Sequence, residues 1–261
     1  MRTTSCTVTR HAPSGAEVFE DVVAVEEPLE ISAAWTVDGE PRERVLTVTM
    51  RTPGDDFDLA TGFLLSEGII GSAADIESIR HWASPNRVRV ALTSADTARI
   101  GRNFLSTSAC GVCGKTSIDA LAADLRPLSP TPPVDRAIVT SIPRLLQEGQ
   151  SAFRETGGVH GAALVDRTGK LLCVREDIGR HNAVDKVIGA SATGSFADTL
   201  LAVSSRASFE IVQKTIACGI PALVSIGAPS SLAVELARKF NVTLIGFVRE
   251  GRFNVYAGEV E

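Results

Sequence analysis

Apolar residues in the first ninety positions recur mainly in short runs that alternate with polar residues, which is the period of strands. Arg44–Arg51 is the clearest case, with Val45 and Thr47 on one face and Leu46 and Val48 on the other, as in a half-buried strand. Similar β-branched runs, separated by turn residues, predict further strands over residues 17–24, 29–37, 78–83 and 87–93. One helix is predicted after the turn at residues 52–54.

The predicted helix has Asp55 and Asp56 at its start, where an aspartate can cap the N-terminus. A second helical pattern covers residues 96–105. The run Arg126–Pro133 contains four prolines and few packing residues, so we interpret it as a linker between domains.

The hydrophobic pattern changes after this linker. Nearly continuous apolar runs predict strands over residues 159–165, 171–175, 199–203, 222–226 and 242–248. Helical patterns lie between them over residues 143–155, 181–188, 209–218 and 231–240. Such an alternation indicates an α/β layer with a sheet covered on both faces. The sequence therefore predicts a strand-rich domain over residues 1–133 and an α/β domain over residues 134–261.

Three loops at predicted strand ends are unusually polar, and strand ends carry the ligand sites of α/β folds. The first loop contains Arg180, the second contains Ser204 and Arg206, and the third contains Phe247, Val248, Arg249, Glu250, Gly251 and Arg252. Helix N-termini offer free N–H groups and a partial positive charge, and arginine adds bidentate phosphate donors. We therefore expect a pocket for a phosphorylated, nucleotide-like ligand, although neither a P-loop nor a Rossmann motif is present.

Each of these residues has a simpler alternative role. Salt bridges to Glu176, Asp177 or Glu210 would account for Arg180 and Arg206. His181 could cap a helix or fill a polar pocket, and His160 could be buried with its polar atoms satisfied, while Cys173 and Cys218 fall on predicted core positions.

The stretch Ser108–Lys115, S-A-C-G-V-C-G-K, carries the chemistry that stands out most. Cys110 and Cys113 could bind a metal, act as a redox pair or relay sulfur, and Lys115 could stabilise a thiolate. A structural zinc site needs four ligands and no second pair is present, although a site shared between subunits stays open. Thioredoxin-like pairs usually open a helix, whereas this pair follows a helical pattern and is flanked by glycines. A sulfur relay fits such a loop best.

Composition restricts the other classes of function. The net charge of −5 and the absence of a basic run argue against general nucleic-acid binding. No apolar run is long enough to span a bilayer, and residues 1–12 do not resemble a secretory signal; we expect that terminus, with Cys6, to be frayed. Five cysteines, an odd number, favour functional thiols in a reducing cytoplasm over a disulfide framework.

Five motifs in this order resemble the FdhD family of sulfur carriers. They are R-T-P-G-D-D-F-D-L-A-T-G-F-L-L-S-E-G-I-I (Arg51–Ile70), C-G-V-C-G-K (Cys110–Lys115), G-G-V-H-G-A-A-L (Gly157–Leu164), R-E-D-I-G-R-H-N-A-V-D-K (Arg175–Lys186) and S-S-R-A-S-F-E-I-V-Q-K (Ser204–Lys214). The resemblance implies a second domain similar to cytidine deaminases, a tendency to form homodimers and no intrinsic metal.

The function that this resemblance implies is sulfur transfer during formate dehydrogenase maturation. A cysteine desulfurase would donate persulfide sulfur to Cys110 or Cys113, with Cys110 as the favoured carrier. The sulfur would pass to the molybdenum cofactor, a bis(molybdopterin guanine dinucleotide) bound as substrate, before the cofactor enters formate dehydrogenase. The family's cofactor-binding segment matches Phe247–Arg252.

Two alternatives remain. A zinc-dependent deaminase needs H-x-E and P-C-x-x-C at two helix starts, where this chain has His181-Asn182-Ala183 and Ser204–Ser208. The glutamate and both thiols are missing there, so we expect an anion pocket in place of a metal site. The other alternative is a chaperone that binds the molybdenum cofactor without transferring sulfur.

Overall fold

The computed structural model describes residues 1–93, 100 and 125–261. Cys110, Cys113 and Lys115 lie outside the described residues, as does nearly all of the helix predicted over residues 96–105. The predictions for these positions therefore stay predictions.

The N-terminal part, residues 1–93, is built on a four-stranded sheet in the order β4-β3-β6-β5. Its strands are β3 (Glu27–Val37), β4 (Glu40–Arg51), β5 (Ile76–Trp82) and β6 (Ser84–Leu92). Helix α1 (Asp56–Ser66) packs on one face, where Leu59 and Leu64 meet Ile31 and Val90 in a buried apolar cluster. The predicted strands and helix of this part are confirmed.

The first twelve residues are not frayed, so that expectation was wrong. They form β1 (Thr3–Ala12), which pairs along its whole length with β2 (Gly15–Ala24) in an antiparallel hairpin. The base of the hairpin is held by a hydrogen bond from the Val25 N–H to the Arg2 carbonyl and by an ion pair between Arg2 and Asp55. Alternating β-branched residues in this segment were the available signal.

The predicted aspartate cap of α1 was also wrong. Asp55 occupies the N-cap position with a left-handed φ of 55°, and its side chain makes no capping hydrogen bond. The Asp56 carboxylate binds the buried guanidinium of Arg51 in a bidentate arrangement, with N–O distances of 2.9 and 3.0 Å. Charge-assisted hydrogen bonds to a guanidinium are stronger than a bond to one backbone N–H. The carboxylates of Asp55 and Asp56 therefore bind arginines and do not cap the helix.

The C-terminal part, residues 134–261, contains a six-stranded sheet in the order β12-β11-β10-β9-β7-β8. The strands are β7 (His160–Asp166), β8 (Leu171–Asp177), β9 (Thr199–Val203), β10 (Ala222–Ser225), β11 (Thr243–Arg249) and β12 (Arg252–Ala257). Strands β9, β10 and β11 are parallel, whereas β7 runs antiparallel to β9 and to β8.

Helices cover both faces of this sheet, which confirms the predicted α/β class. They are α2 (Arg136–Gly149), α3 (Ser151–Thr156), α4 (Arg180–Ala190), α5 (Phe209–Ala217) and α6 (Ser231–Lys239). Val184, Ile211 and Leu236, from α4, α5 and α6, share one buried cluster, whereas α2 packs on the opposite face through Ile142 and Leu146.

The helix predicted over residues 143–155 was misplaced at its start. Helix α2 begins at Arg136, where the Asp135 side chain accepts a hydrogen bond from the Ala137 N–H, and Pro143 lies inside it. Proline normally breaks a helix interior. Here the apolar stripe that includes Ile142 and Leu146 is buried against the sheet, and this packing outweighs the local preference.

The proline-rich run lies against the C-terminal part. The Leu128 N–H donates to the Phe240 carbonyl at 3.1 Å, and Arg167 donates to the Pro132 carbonyl at 3.1 Å. The division into domains at residue 133 stays a prediction. Among the described residues, no helix is both long enough and apolar enough to cross a membrane.

Candidate functional site

The polar loops predicted from the sequence lie along one edge of the six-stranded sheet. The carboxyl ends of β8, β9, β10 and β11 meet there, together with the amino end of β7, because β7 is antiparallel to its neighbours. The Ser204 N–H donates to the Gly161 carbonyl and the Gly161 N–H donates to Ser204 Oγ, both at 2.9 Å. We call this edge, with His160, Arg180, His181, Ser204, Arg206 and residues 247–252, the polar edge.

Three of the described helices begin at the polar edge, after Gly179, Ser208 and Ser230. Their loops interlock through hydrogen bonds from the Ser230 N–H to the Ala207 carbonyl and from the Phe247 N–H to the Gly227 carbonyl, both 3.0 Å. A Cβ atom at Gly227 would lie 2.9 Å from the Ser205 carbonyl oxygen, so only glycine allows this approach. The edge therefore presents several helix N-termini on a closely packed backbone.

Arg180 and Arg206 do not form the salt bridges considered as an alternative. Glu176 instead accepts hydrogen bonds from the N–H groups at the start of α3, at 2.8 and 2.9 Å, and Asp177 pairs with Lys186. Within residues 1–93 and 125–261, neither guanidinium has an ion pair or a hydrogen bond. Neither charge is neutralised by a partner within those ranges.

His181 is held at the start of α4 by the first turn of α5. Its Nε2 atom lies 3.5 Å from Ser208 Oγ and 3.8 Å from a carboxylate oxygen of Glu210. Interaction with His181 lowers the pKa of Glu210 to about 2, although burial opposes the shift. The alternative role of His181 as a residue satisfied in a polar pocket is thus confirmed.

His160 is half-buried at the amino end of β7, and its imidazole has no hydrogen-bond partner among the residues described. Burial lowers its pKa, and the positive charges of Arg180 and His181 lower it further, while Asp177 opposes them. At neutral pH the ring is therefore an uncharged hydrogen-bonding group beside the Arg180 guanidinium. The expectation of a satisfied core histidine is not met.

The segment Phe247–Arg252 divides between the core and the surface. Val248 is fully buried, whereas Phe247 has a positive φ of 54° and a side chain that is 45 % exposed. The Arg249 guanidinium donates to the Ile226 carbonyl at 2.8 Å. Glu250, Gly251 and Arg252 form the exposed turn into β12. The role of this segment in cofactor binding stays a prediction.

A buried polar contact joins the N-terminal and C-terminal parts, and sequence reasoning missed it. Lys186 Nζ lies 2.7 Å from Asp177 Oδ2 and 2.8 Å from the Thr52 carbonyl oxygen, with both side chains of the pair fully buried. The Thr52 N–H donates to the same carboxylate at 3.2 Å. Burial raises the pKa of Asp177, although the Lys186 charge opposes it.

A second buried lysine lies farther along the same contact. Lys214 Nζ is 3.0 Å from carboxylate oxygens of both Asp185 and Glu67, and 2.8 Å from Ser66 Oγ. Burial acts to lower the pKa of Lys214, but the nearby carboxylates outweigh it and the pKa is raised. The signal in the sequence was helical spacing, since each lysine lies three positions after an apolar residue of its helix, Ala183 for Lys186 and Ile211 for Lys214.

The two ends of the cysteine-bearing segment lie away from the polar edge. The Thr93 N–H donates to the Asp75 carbonyl at 2.9 Å. Asp75 and Leu125 both line a cavity of about 720 Å³ together with Cys218, just after the carboxyl end of α5. Because α5 begins at the polar edge and ends at this cavity, the cavity lies at the opposite edge of the sheet.

Cys173 and Cys218, the two cysteines predicted to lie in the core, pack as expected. Burial raises the pKa of Cys218 to about 12. Burial also raises the pKa of Cys173, although Arg175, which donates to its Sγ at 3.3 Å, opposes the shift. Both lie against the cluster of α4, α5 and α6, and neither is an activated thiol.

The described ranges contain no group of three or more histidine, cysteine or acidic side chains that could hold a metal ion. At the helix start where a deaminase has its zinc ligands, the neighbours of His181 are Ser208 and Glu210. These residues give the zinc-dependent alternative no support.

Comparisons with known proteins agree with the resemblance seen in the motifs. The chain is 49% identical over 258 residues to the sulfur carrier protein FdhD of Anaeromyxobacter dehalogenans strain 2CP-C, covering 91% of this chain and 87% of that protein. It is 44% identical to the protein of the same name from Mycolicibacterium paratuberculosis, covering 98% and 97%.

A solved structure supports the same relationship at the level of fold. The crystal structure of a protein described as a formate dehydrogenase accessory protein from Desulfotalea psychrophila superposes with a TM-score of 0.81 at 26% identity, covering 99% of this chain and 98% of that one. The model of the FdhD/NarQ family matches residues 24–261, from the end of β2 to the C-terminus. The chain belongs to the FdhD/NarQ family.

Proposed function

We propose that this protein is a sulfur carrier in formate dehydrogenase maturation, acting as a cytoplasmic sulfurtransferase and homodimer. It receives persulfide sulfur from a cysteine desulfurase and transfers it to the molybdenum cofactor, which it binds as bis(molybdopterin guanine dinucleotide) at the polar edge. Support comes from membership of the family and from relatives named sulfur carrier protein FdhD.

The observation that carries the cofactor-binding half of this proposal is the pair of available arginines, Arg180 and Arg206. They stand at the starts of α4 and α5, where helix dipoles favour negative charge. A guanidinium can bind two phosphate oxygens at once. His160 adds an uncharged hydrogen-bonding group, and the exposed Phe247 ring and Arg252 supply a flat apolar surface and a further cation. Phosphates with an attached base fit this set.

The thiol chemistry requires two cysteines at close spacing. The Cys110 thiolate attacks the outer sulfur of the desulfurase persulfide and displaces the desulfurase cysteine as a thiolate. For release, the Cys113 thiolate attacks Cys110 Sγ and expels the carried sulfur as hydrosulfide, which leaves a Cys110–Cys113 disulfide. The two thiolates supply the two electrons, and a dithiol reductant restores them.

Chain length permits sulfur transfer between the two ends of the strands. Cys113 is twelve residues from Leu125, and twelve residues can span up to about 40 Å when fully extended. This reach exceeds the length of β9, which has five residues and is roughly 17 Å long.

The test is intact mass spectrometry after incubation with a cysteine desulfurase and cysteine. We expect added sulfur on the parent protein and none on Cys110→Ala. This variant should fail to activate formate dehydrogenase but should still bind GDP, which we use as a probe for the guanine nucleotide part of the cofactor. Cys173→Ala is the matched control, since this thiol is partly buried and unactivated. A Cys110→Ala protein that still matures the enzyme would favour the chaperone alternative, in which the polar edge binds cofactor without sulfur transfer.

A further inference from the structure

The two buried lysines occupy different ends of the contact between the N-terminal and C-terminal parts. Lys186 meets Thr52, which precedes α1, and pairs with Asp177, three residues before Arg180. Lys214 meets Ser66 and Glu67 at the end of α1. The two lysines therefore differ in their partners: Lys186 binds the residues that lead into Arg180, whereas Lys214 binds the far end of α1.

The residues that lead into Arg180 are held by the N-terminal part. The Ile178 N–H donates to Thr52 Oγ1 at 3.1 Å, and the Gly179 N–H donates to Asp177 Oδ1 at 2.8 Å. Asp177 accepts in turn from the Thr52 N–H and binds Lys186. The backbone position from which Arg180 starts is thus set by contacts to a segment 125 residues away.

A second set of contacts holds Asn182, in the first turn of α4. The Asn182 side-chain amide donates to the Met50 carbonyl at 2.7 Å and to Asp177 Oδ1 at 3.1 Å, and its oxygen accepts from Thr49 Oγ1 at 3.2 Å. The carboxyl end of β4 therefore holds the first turn of α4 on both sides of Arg180.

We propose that Asp177 and Lys186 are positioning residues that hold Arg180 through Thr52, and that they couple anion binding at the polar edge to the seating of the N-terminal part. This inference rests on the anion-binding role proposed above. Coupling between sites is reciprocal. If the Thr52 contacts hold Arg180 in the position that binds an anion, they add a certain free energy to anion binding. A bound anion then stabilises the Thr52 contacts by the same free energy.

The coupling has a consequence for a sulfur carrier. The N-terminal part ends at Thr93, where the chain enters the segment that contains Cys110 and Cys113. A bound anion at the polar edge therefore stabilises the contacts of the N-terminal part, to which that segment is joined.

The experiment compares GDP binding by the full chain and by two lysine variants, with isothermal titration calorimetry. Lys186→Met and Lys214→Met each leave a buried carboxylate without its ammonium partner, so both lower stability. We expect Lys186→Met to weaken GDP binding about tenfold and Lys214→Met to change it less than about twofold.

A second pair of variants, with smaller changes, and a second measurement test the inference even if the lysine variants fail to fold. Thr52→Val removes the acceptor for the Ile178 N–H but keeps the side-chain shape, and Ser66→Ala is its control at the far end of the contact. In the parent protein, GDP should slow hydrogen exchange at the Thr52 and Ile178 amides. Thr52→Val should bind GDP more weakly and lose that protection at Ile178.

The outcomes separate this inference from the proposed function. Equal GDP affinities of the two lysine variants, or amide exchange at Thr52 and Ile178 that GDP does not change, would overturn the coupling and leave the polar edge as an anion site. A parent protein that does not bind GDP at all would refute both.

Discussion

Gly62 of α1 and Gly189 of α4 bring two helix backbones so close that neither position has room for a side chain. A Cβ atom at Gly62 would lie 1.8 Å from the Asp185 carbonyl oxygen, and one at Gly189 would lie 1.9 Å from the Asp58 carbonyl oxygen. This crossing joins the N-terminal and C-terminal parts and places α4, which begins at the polar edge, against α1.

Gly62→Ala should therefore destabilise the protein by about 3 kcal/mol or more, because the helices must move apart to admit the methyl group. Urea unfolding at equilibrium measures the effect. Gly194→Ala is the matched control, since its nearest atom would be 3.7 Å away, and its change should stay within about 0.5 kcal/mol. Equal stability of both variants would contradict the observed crossing.

Arg180→Ala and Arg206→Ala should each raise the dissociation constant for GDP about tenfold, because each removes a charged hydrogen-bond donor from the anion site. The dependence of binding on salt should weaken as well. Arg144→Ala is the control, since Arg144 pairs with Glu148 on the same helix, α2, which covers the face of the sheet opposite to α4 and α5. GDP affinities that match the parent protein would show that the ligand binds elsewhere.

Arg252→Ala should weaken GDP binding while sulfur still loads onto Cys110, because Arg252 lies at the polar edge and takes no part in the thiol chemistry. Two measurements on one preparation, calorimetry and intact mass, test this separation. Arg87→Ala, an exposed arginine of the N-terminal sheet, serves as the control. Loss of sulfur loading in Arg252→Ala alone would mean that this residue acts in the transfer step.

Glu210 should make stability depend on pH in the acidic range. Its pKa falls from 4.5 to about 2 in the folded protein, so the stabilising contribution is present above about pH 4.5 and is lost as the pH falls towards 2. Unfolding free energies of Glu210→Gln should lie below those of the parent at pH 6, with a gap that closes towards pH 2. The exposed Glu235→Gln on α6 is the control. A gap that persists at pH 2 would exclude this origin.

Several errors in the sequence predictions have a common physical cause. Pro143 was placed at a helix start because local preference favours it there, whereas buried packing of α2 extends the helix by seven residues before it. Asp55 was expected to cap α1, but two arginines that are distant in sequence, Arg2 and Arg175, take its carboxylate. In each case a long-range contact outweighs a local preference.

The strands of the C-terminal part, three of its helices, the loops that form the polar edge and, through five motifs, the family could all be predicted from the sequence. These features depend on hydrophobic period and chain order, which are local. How the charges within one motif divide follows only from the tertiary structure: Asp177 and Lys186 are buried against Thr52, whereas the Arg180 guanidinium has no ion pair among the described residues. The reason is that the energy of a charge depends on its burial and its partners, and these come from residues more than a hundred positions away.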